Sequence, residues 1–328
     1  MLNLTTNFSA RHESVFWTGF TMSVTFAILS LFNLVILVVI LGSAKLRPHV
    51  TYVLVALLAA TDFLASFTWG IPQSLEAMFI GPQNSVLPKD IVKYNSWCRW
   101  LGAWGYTWVF ASPFGQAIIA LNRFIAVFSP VLYRRIFTVR YAILIWVVAV
   151  WLFPVSVVFG WNGILVESYI VMPEFGICVL NSYSLTFKMF VDTVYIYIPC
   201  LVMLLCYMAI FIRVKLAKTV VSKSELKKRS RGSKMMFWCF VGFVACINPA
   251  PIYYQTAAAA GRLRISDSHS LWAYWVQLIL GLSYGTNLVF YLVFCKTFRQ
   301  EARRIAAQWL GLRSSVVAMT NQSETVFR

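Results

Sequence analysis

Seven long apolar stretches, each bounded by polar or Pro- and Gly-rich sequence, follow one another along the chain. They cover 17–41, 52–78, 97–128, 141–161, 188–213, 234–258 and 271–294. A helix that crosses the hydrocarbon core of a bilayer needs about 20 predominantly apolar residues, and each stretch meets that length. The pattern predicts an all-α membrane protein, a seven-transmembrane helix bundle over 17–294.

A different pattern follows the last stretch, because apolar and basic side chains separate onto opposite helical faces of 295–310. The apolar set is Phe298, Ala302, Ile305 and Trp309, and the basic set is Arg299, Arg303 and Arg304. Such a segment predicts a short amphipathic helix on the membrane surface. The ends of the chain then form a tail at 1–16 and a second tail at 311–328.

Composition agrees with a chain that is solvated largely by lipid. Hydrophobic residues make up 60% of it and charged residues only 12%, whereas soluble domains carry about 25% charged residues. The net charge of +17 could indicate a nucleic-acid partner, but the distribution of the charge argues against that partner.

Basic residues indicate the direction of the chain through the membrane. With the N-terminus outside, the cytoplasmic segments hold 21 of the 28 Lys and Arg residues. Because cytoplasmic loops carry an excess of Lys and Arg, the predicted C-terminus is cytoplasmic. We therefore expect a multi-pass plasma-membrane protein whose basic face attracts anionic lipid, with no nucleic-acid partner.

Two features of the predicted outside face fit an oxidising compartment. Cys98 opens the third stretch and Cys178 lies in the long loop after the fourth, so we expect a disulfide between them. Asn3 and Asn7 each begin an Asn-x-Ser/Thr triplet in the outside tail and are candidate glycosylation sites.

Asp62 is the only acid that the pattern places deep in a span. Ionisable residues inside the membrane are costly and usually functional, so we expect Asp62 to face polar partners inside the bundle. The candidates are Asn33, Ser112, Ser283 and Asn287. Two interpretations stay open: a hydrogen-bond network that fixes helix packing, or a hydrated site for a proton or an ion such as Na⁺.

Proline residues interrupt several of the predicted spans. A proline removes a backbone hydrogen bond and favours a kink. Those within spans are Pro113, Pro154, Pro199, Pro249 and Pro251. We expect kinked helices that permit rearrangement, although kinks are often packing features only.

A set of motifs in a fixed order carries a resemblance to a known family. They are Asn33, Asp62, Cys98 with Cys178, Asn122-Arg123-Phe124 followed by Pro130 and Tyr133, Trp146, Pro199 with Tyr207, Phe243 with Cys246 and Pro249, Asn287 with Tyr291, and Phe298. Along nearly its whole length the chain resembles rhodopsin-like (class A) G-protein-coupled receptors. The Asn-Arg-Phe form is similar to that of nematode serpentine chemoreceptors of the srx type.

The resemblance implies a receptor and not an enzyme, and it implies a heterotrimeric G protein and arrestin as partners. The implied coupling and activation residues are Asn122, Arg123, Phe124, Tyr207, Pro249 and Tyr291. Three positions depart from the family pattern. Asn122 replaces an acid, Ile247 replaces a Trp and Leu288 replaces a Pro, so the usual restraint on Arg123 is expected to be weaker.

The ligand pocket is expected in the outer half of the bundle, where aromatic side chains concentrate. Gly105 and Gly281 stand where amine receptors carry Asp and opsins carry Lys, which argues against a biogenic amine and against retinal. The implied ligand-binding residues are Trp104, Gly105, Trp108, Tyr195, Tyr253, Tyr254, Trp275 and Gln277. They suit a small apolar or amphipathic chemosensory ligand, and the alternative is a packing or interfacial belt.

A transporter or channel is the rival interpretation. Such proteins usually show internal repeats and several intramembrane charges, and the sequence shows neither. No His cluster, paired acids or nucleophile with a base indicates an enzyme or a metal site, and no cofactor is expected apart from the Na⁺ ion considered at Asp62.

Overall fold

The structure is a computed structural model, and it describes residues 2–79, 96–162, 169–172, 177–180, 192–216, 241–242, 244–249, 252 and 270–310. The described part is a helical bundle, which confirms the all-α class of membrane protein. We name its spans by their order in the sequence, and its outer and inner ends by the predicted orientation. Most of the predicted sixth span and the whole of the predicted tail 311–328 lie outside the described residues. In the predicted tail 1–16 the backbone is described from residue 2 onward, but the side chains of residues 2–15 are not.

The helices reproduce the predicted spans closely. The first span lies in Leu2–Gly42, the second in Val50–Phe79, the third in Ser96–Phe128, the fourth in Val139–Asn162, the fifth in Thr193–Leu216 and the seventh in Ser270–Ser283 and Thr286–Phe294. Among the described residues, the first five spans are each long and apolar enough to cross a bilayer. The first helix begins at Leu2, so it continues through the segment predicted as a tail.

In the described part of the chain, three spans contain a widened π-helical turn, and each turn ends two residues before a proline. The turns are Ser66–Gly70 before Pro72, Val147–Leu152 before Pro154, and Thr193–Tyr197 before Pro199. A proline has no N–H for the carbonyl four residues earlier and its ring clashes with that carbonyl, so the helix opens there. Pro113 behaves differently, because the third helix runs through it as α-helix.

The seventh span is broken at Tyr284 and Gly285, which form a turn between its two helices. The amide nitrogen of Asn33 in the first span donates a 2.8 Å hydrogen bond to the backbone carbonyl of Tyr284. In lipid each backbone polar group needs a partner. Asn33 therefore satisfies a carbonyl at the break and ties the first span to the seventh.

The third span packs at the centre of the described bundle, against the second, fourth and fifth spans. Gly115 allows a close approach there, because a Cβ atom at this position would lie 2.7 Å from the Trp146 ring. The opposite faces carry exposed apolar side chains, such as Leu41, Leu152 and Leu205. Small residues at helix contacts and apolar residues outside are typical of a bundle in lipid.

A β-hairpin lies in the loop between the fourth and fifth spans, and the sequence analysis did not predict it. Strand β1 (Tyr169–Met172) pairs antiparallel with strand β2 (Ile177–Leu180), with Val171 opposite Cys178. Both strands pack against the third span. The hairpin adds a small sheet at the outer end of a bundle that is otherwise helical.

The predicted surface helix is present at Lys296–Trp309 and meets the stretch Leu278–Val293 at an angle of 92°. Phe298 and Ile305 are buried against the bundle. Ser43, in the turn after the first span, donates a 2.8 Å hydrogen bond to Glu301. This helix is therefore docked on the inner end of the bundle through both apolar and polar contacts.

Candidate functional site

The carboxyl group of Asp62 is completely buried between three spans. Ser112 of the third span donates a 2.9 Å hydrogen bond to Oδ1. Asn287 of the seventh span donates a 3.2 Å hydrogen bond to Oδ2. Both oxygens thus have a partner on a different helix, and two of the four predicted partners, Ser112 and Asn287, bond to Asp62.

Gln116 extends this cluster by donating a 3.2 Å hydrogen bond to the Oδ1 atom of Asn287. Gln116 was not among the predicted members of the cluster. Its position one helical turn after Ser112 was the available signal, since residues four apart share a helical face. The predicted member Ser283 instead donates to the carbonyl of Leu280 at 2.7 Å, within its own helix.

A second set of buried polar atoms lies about one helical turn further outward, on the first, second, third and seventh spans. None of them has a hydrogen-bond partner among the described residues. They are the side-chain polar atoms of Ser30, Ser66, Trp108 and Tyr284. Buried polar groups are usually hydrogen-bonded, and these atoms are able to bind a further polar group about one turn outward of Asp62.

Two turns outward of Asp62, aromatic rings lie directly on glycine backbone. A Cβ atom at Gly105 would overlap the indole of Trp69, and one at Gly281 would lie 2.9 Å from the Phe26 ring. The Phe26 and Trp69 ring centroids are 6.1 Å apart. Gly105, a predicted ligand contact, is thus covered by a side chain of the second span.

The other predicted ligand residues have varied surroundings. The ring nitrogen of Trp104 donates a 2.6 Å hydrogen bond to Thr68, and Tyr195 is buried in a stack with Phe110, at a centroid distance of 4.3 Å. Trp275 is 56% exposed. The placement of Tyr253 and Tyr254 and the side chain of Gln277 lie outside the described part of the chain.

Two nitrogen donors in this outer region are buried without a partner among the described residues. They are Nε1 of Trp108 and Nε2 of Gln73, whose side chains are 5% and 3% exposed. Gln73 was not predicted to matter, and its polarity within an apolar run was the signal. Both atoms are able to donate hydrogen bonds to an acceptor supplied from outside the protein.

Asp192 is a second buried acid that the sequence analysis overlooked. It stands immediately before the π-helical turn of the fifth span and is 7% exposed. The predicted span 188–213 already contained it, but its place near a span end suggested contact with water. Asp62 is therefore not the only buried acid among the described residues.

At the inner end, Asn122 and Arg123 do not pair with each other. Asn122 Oδ1 accepts a 3.3 Å hydrogen bond from Thr51 of the second span. Among the described residues, Asn122 Nδ2 and Arg123 Nε have no hydrogen-bond partner. The weaker restraint expected from the Asn substitution stays a prediction.

Among the remaining implied coupling residues, Phe124 and Tyr291 form aromatic contacts at this end. Phe124 stacks on Phe128 at 4.5 Å, and Tyr291 approaches Phe298 of the surface helix at 5.7 Å. Tyr207 is buried, and Pro249 is half-buried in the described fragment of the sixth span. Tyr291 thus connects the seventh span, which carries Asn287, to the surface helix.

The predicted disulfide and glycosylation sites lie in helices and a strand whose backbone is described, but their side chains are not described. Cys98 is in the third helix and Cys178 is in β2, and Asn3 and Asn7 are in the first helix. Four other cysteines, Cys200, Cys206, Cys246 and Cys295, are free thiols. The disulfide and the glycosylation sites remain predictions.

Comparison with known proteins identifies the class. The model of the family described as "7 transmembrane receptor (rhodopsin family)" matches residues 32–304. The chain therefore belongs to the rhodopsin family of seven-transmembrane receptors, and it is a multi-pass membrane receptor and not an enzyme. It is also similar to a protein of Caenorhabditis elegans named Neuropeptide receptor 15, with 22% identity over 83% of this chain and 85% of that relative.

Removing one hydrogen-bond donor to Asp62 tests how much the polar cluster stabilises the folded protein. Ser112→Ala leaves Oδ1 of a buried carboxyl group without its partner, which costs about 1–3 kcal/mol. We expect a lower melting temperature of the purified protein in lipid nanodiscs. The matched control is Ser156→Ala, because the exposed Ser156 donates only to Phe153 of its own helix. Equal melting temperatures for the two variants would contradict this assignment.

Proposed function

We propose that this receptor is activated by a ligand at its outer half and stimulates nucleotide exchange on a heterotrimeric G protein at its inner end. The observation that carries the proposal is the buried cluster in which Asp62 joins the second, third and seventh spans. The orientation in the plasma membrane, with the N-terminus outside, is part of the same proposal and is supported by the concentration of basic residues in the inner segments.

The mechanism is a shift between two arrangements of the bundle. A ligand changes such an equilibrium only if it binds one arrangement more tightly than the other. Asn287 is held by Asp62 and lies on the helix that also carries Tyr291. A change in the Asp62 cluster would therefore move Tyr291 and its contact with the surface helix, beside Arg123 and Tyr207, where a G-protein α subunit would bind.

The first candidate ligand is a small apolar or amphipathic molecule, which would make the receptor chemosensory. Its support is the combination of aromatic walls with the unpartnered donor of Gln73, one turn outward of Trp69. Ligand sites are typically apolar with a few placed polar groups. Such a ligand would present a hydrogen-bond acceptor to this donor.

A peptide is the second candidate ligand, favoured by the name of the C. elegans relative. The packing of the outer half adds a physical argument. Trp69 covers Gly105 and Tyr195 is stacked on Phe110, so a ligand that binds near the hairpin would need less rearrangement than a deeply inserted one.

Three further partners or modifications belong to the proposal. A Cys98–Cys178 disulfide would fix the hairpin to the third span, against which both strands already pack. Glycans on Asn3 and Asn7 would mark the outer end. Arrestin would bind the inner end, and anionic lipid would contact the exposed basic residues there, such as Arg134 and Arg135.

Ligand-dependent guanine-nucleotide exchange tests the function. The wild-type receptor and Asp62→Asn would be screened in nanodiscs with representative Gα subunits against a small-metabolite library and a peptide library. We expect a ligand in one library to stimulate exchange, and Asp62→Asn to reduce that stimulation about fivefold or more, the usual scale of allosteric coupling. Equal surface expression of the two is the control. Ion flux without any exchange would instead support a transporter or channel.

A Na⁺ ion beside Asp62 is a further part of the proposal. The oxygen donors present are the Asp62 carboxyl group, the Ser112 hydroxyl and the unpartnered Ser66 hydroxyl, and hard cations prefer oxygen ligands. A ligand that binds only the folded protein stabilises it. We expect about 150 mM Na⁺ to raise the melting temperature relative to N-methylglucamine, in the wild type but not in Asp62→Asn. An equal rise in both would contradict the site.

Restoring an acid beside Arg123 tests the weakened restraint at the inner end. Asn122→Asp introduces a carboxylate next to a guanidinium group that has no described ion-pair partner, so it should stabilise the inactive arrangement. We expect ligand-free exchange to fall about fivefold. Asn122→Ala serves as the control for loss of the Thr51 hydrogen bond alone. Unchanged or higher ligand-free exchange in Asn122→Asp would overturn the interpretation.

A further inference from the structure

Two aromatic rings and three glycines form a continuous row across four spans, two helical turns outward of the Asp62 cluster. We call it the aromatic row, and its members are Phe26, Trp69, Gly70, Gly105 and Gly281. Phe26, Trp69 and Gly105 lie seven residues from Asn33, Asp62 and Ser112 respectively. The row and the polar cluster are thus two parallel layers of the same four helices.

Both rings of the aromatic row pack against glycines, which have no side chain between the ring and the backbone. Trp69 lies on Gly105 of the third span, and Phe26 lies between Gly70 of the second span and Gly281 of the seventh. Phe26 and Trp69 contact each other edge to face at 6.1 Å. These contacts therefore connect the third span to the seventh span through the two rings.

This packing leaves little room for independent movement of the four helices. Protein interiors are packed as densely as organic crystals. Because each ring touches glycine backbone, no flexible side chain on that side can move away to make room for it. A displacement of Trp69 towards Phe26 must be transmitted to Gly281 or be absorbed by a change of helix spacing. Packed interfaces of this kind tend to switch between discrete arrangements.

Trp69 also stands on the π-helical turn Ser66–Gly70, between the outer region and Asp62. Thr68 on this turn accepts the hydrogen bond from Trp104, and Ser66 on the same turn lies four residues from Asp62. Widened turns of this type occur frequently at functional sites. Gln73, with its unpartnered nitrogen, lies one turn outward of Trp69.

We propose that Trp69 is the positioning residue that couples a ligand in the outer half to the Asp62 cluster, through Phe26 and the backbone of Gly105 and Gly281. The proposal rests on the receptor function proposed above. A ligand whose acceptor group contacts Gln73 would bear on the outer side of Trp69. The ring would then press on Phe26 and change the spacing of the first, second and seventh spans about two turns outward of Asn287, on the helices that Asp62 and Asn287 join.

Gly105→Ala tests the coupling without a known ligand, because the added methyl group overlaps the Trp69 indole and displaces it. We expect ligand-free nucleotide exchange to rise about fivefold or more. The double variant Trp69→Leu with Gly105→Ala removes the overlap, so its exchange should equal that of Trp69→Leu alone. A rise that persists in the Trp69→Leu background would overturn the proposal.

Gly115→Ala is the matched control, since it makes the same change in the same helix and also faces a Trp ring, but outside the aromatic row. It should lower the melting temperature without raising exchange. If Gly115→Ala raises exchange as much as Gly105→Ala, a loosened third helix explains the effect and Trp69 has no special role.

Two outcomes separate this proposal from the receptor function itself. No exchange with wild-type receptor and any Gα subunit, with or without the ligand libraries, would refute the function. Wild-type exchange that Gly105→Ala leaves unchanged would refute the coupling role alone. Should Gly105→Ala not reach the cell surface, Trp69→Phe replaces it, and exchange equal to that of the wild type would then overturn the proposal.

Discussion

A carboxyl group that has no access to water imposes the strongest constraint on this bundle. Asp62 receives hydrogen bonds from Ser112 and Asn287 on two other helices, and in a lipid environment the alternative is an unsatisfied buried group. The distances between the second, third and seventh spans are consequently fixed at this level. Layers further outward, including the unpartnered polar atoms and the aromatic row, are built upon helices whose relative positions Asp62 has already set.

Part of this arrangement was predictable, because polar residues are conspicuous in apolar sequence. Asp62 and its partners Ser112 and Asn287 were expected to meet, and they do. Asn33 was also expected in the cluster, yet its side-chain nitrogen donates to two backbone carbonyls, one of them at the break in the seventh span. Which partner a polar side chain selects depends on distances of a few tenths of an ångström, and helical periodicity does not contain that information.

The glycine contacts show a more general limit of prediction from sequence. Gly105 was expected to line a ligand pocket, because it stands where related receptors place a ligand-contacting side chain. In the structure the space above it is filled by Trp69 from another helix. A glycine leaves an opening, and the sequence does not reveal whether a ligand or a neighbouring ring occupies it. The hairpin in the outer loop was missed for a similar reason, since its two short strands pack against helices that are distant in the sequence.

The π-helical turns have a consequence for comparing this receptor with its relatives. A π turn accommodates one residue more than an α turn, and each residue in a helix rotates its side chain by about 100°. Residues outward of Ser66–Gly70 therefore face a direction that a regular helix would assign to their neighbours. Position-by-position correspondence with a receptor that lacks these turns would be offset by one residue in the ligand-facing half, while remaining correct around Asp62.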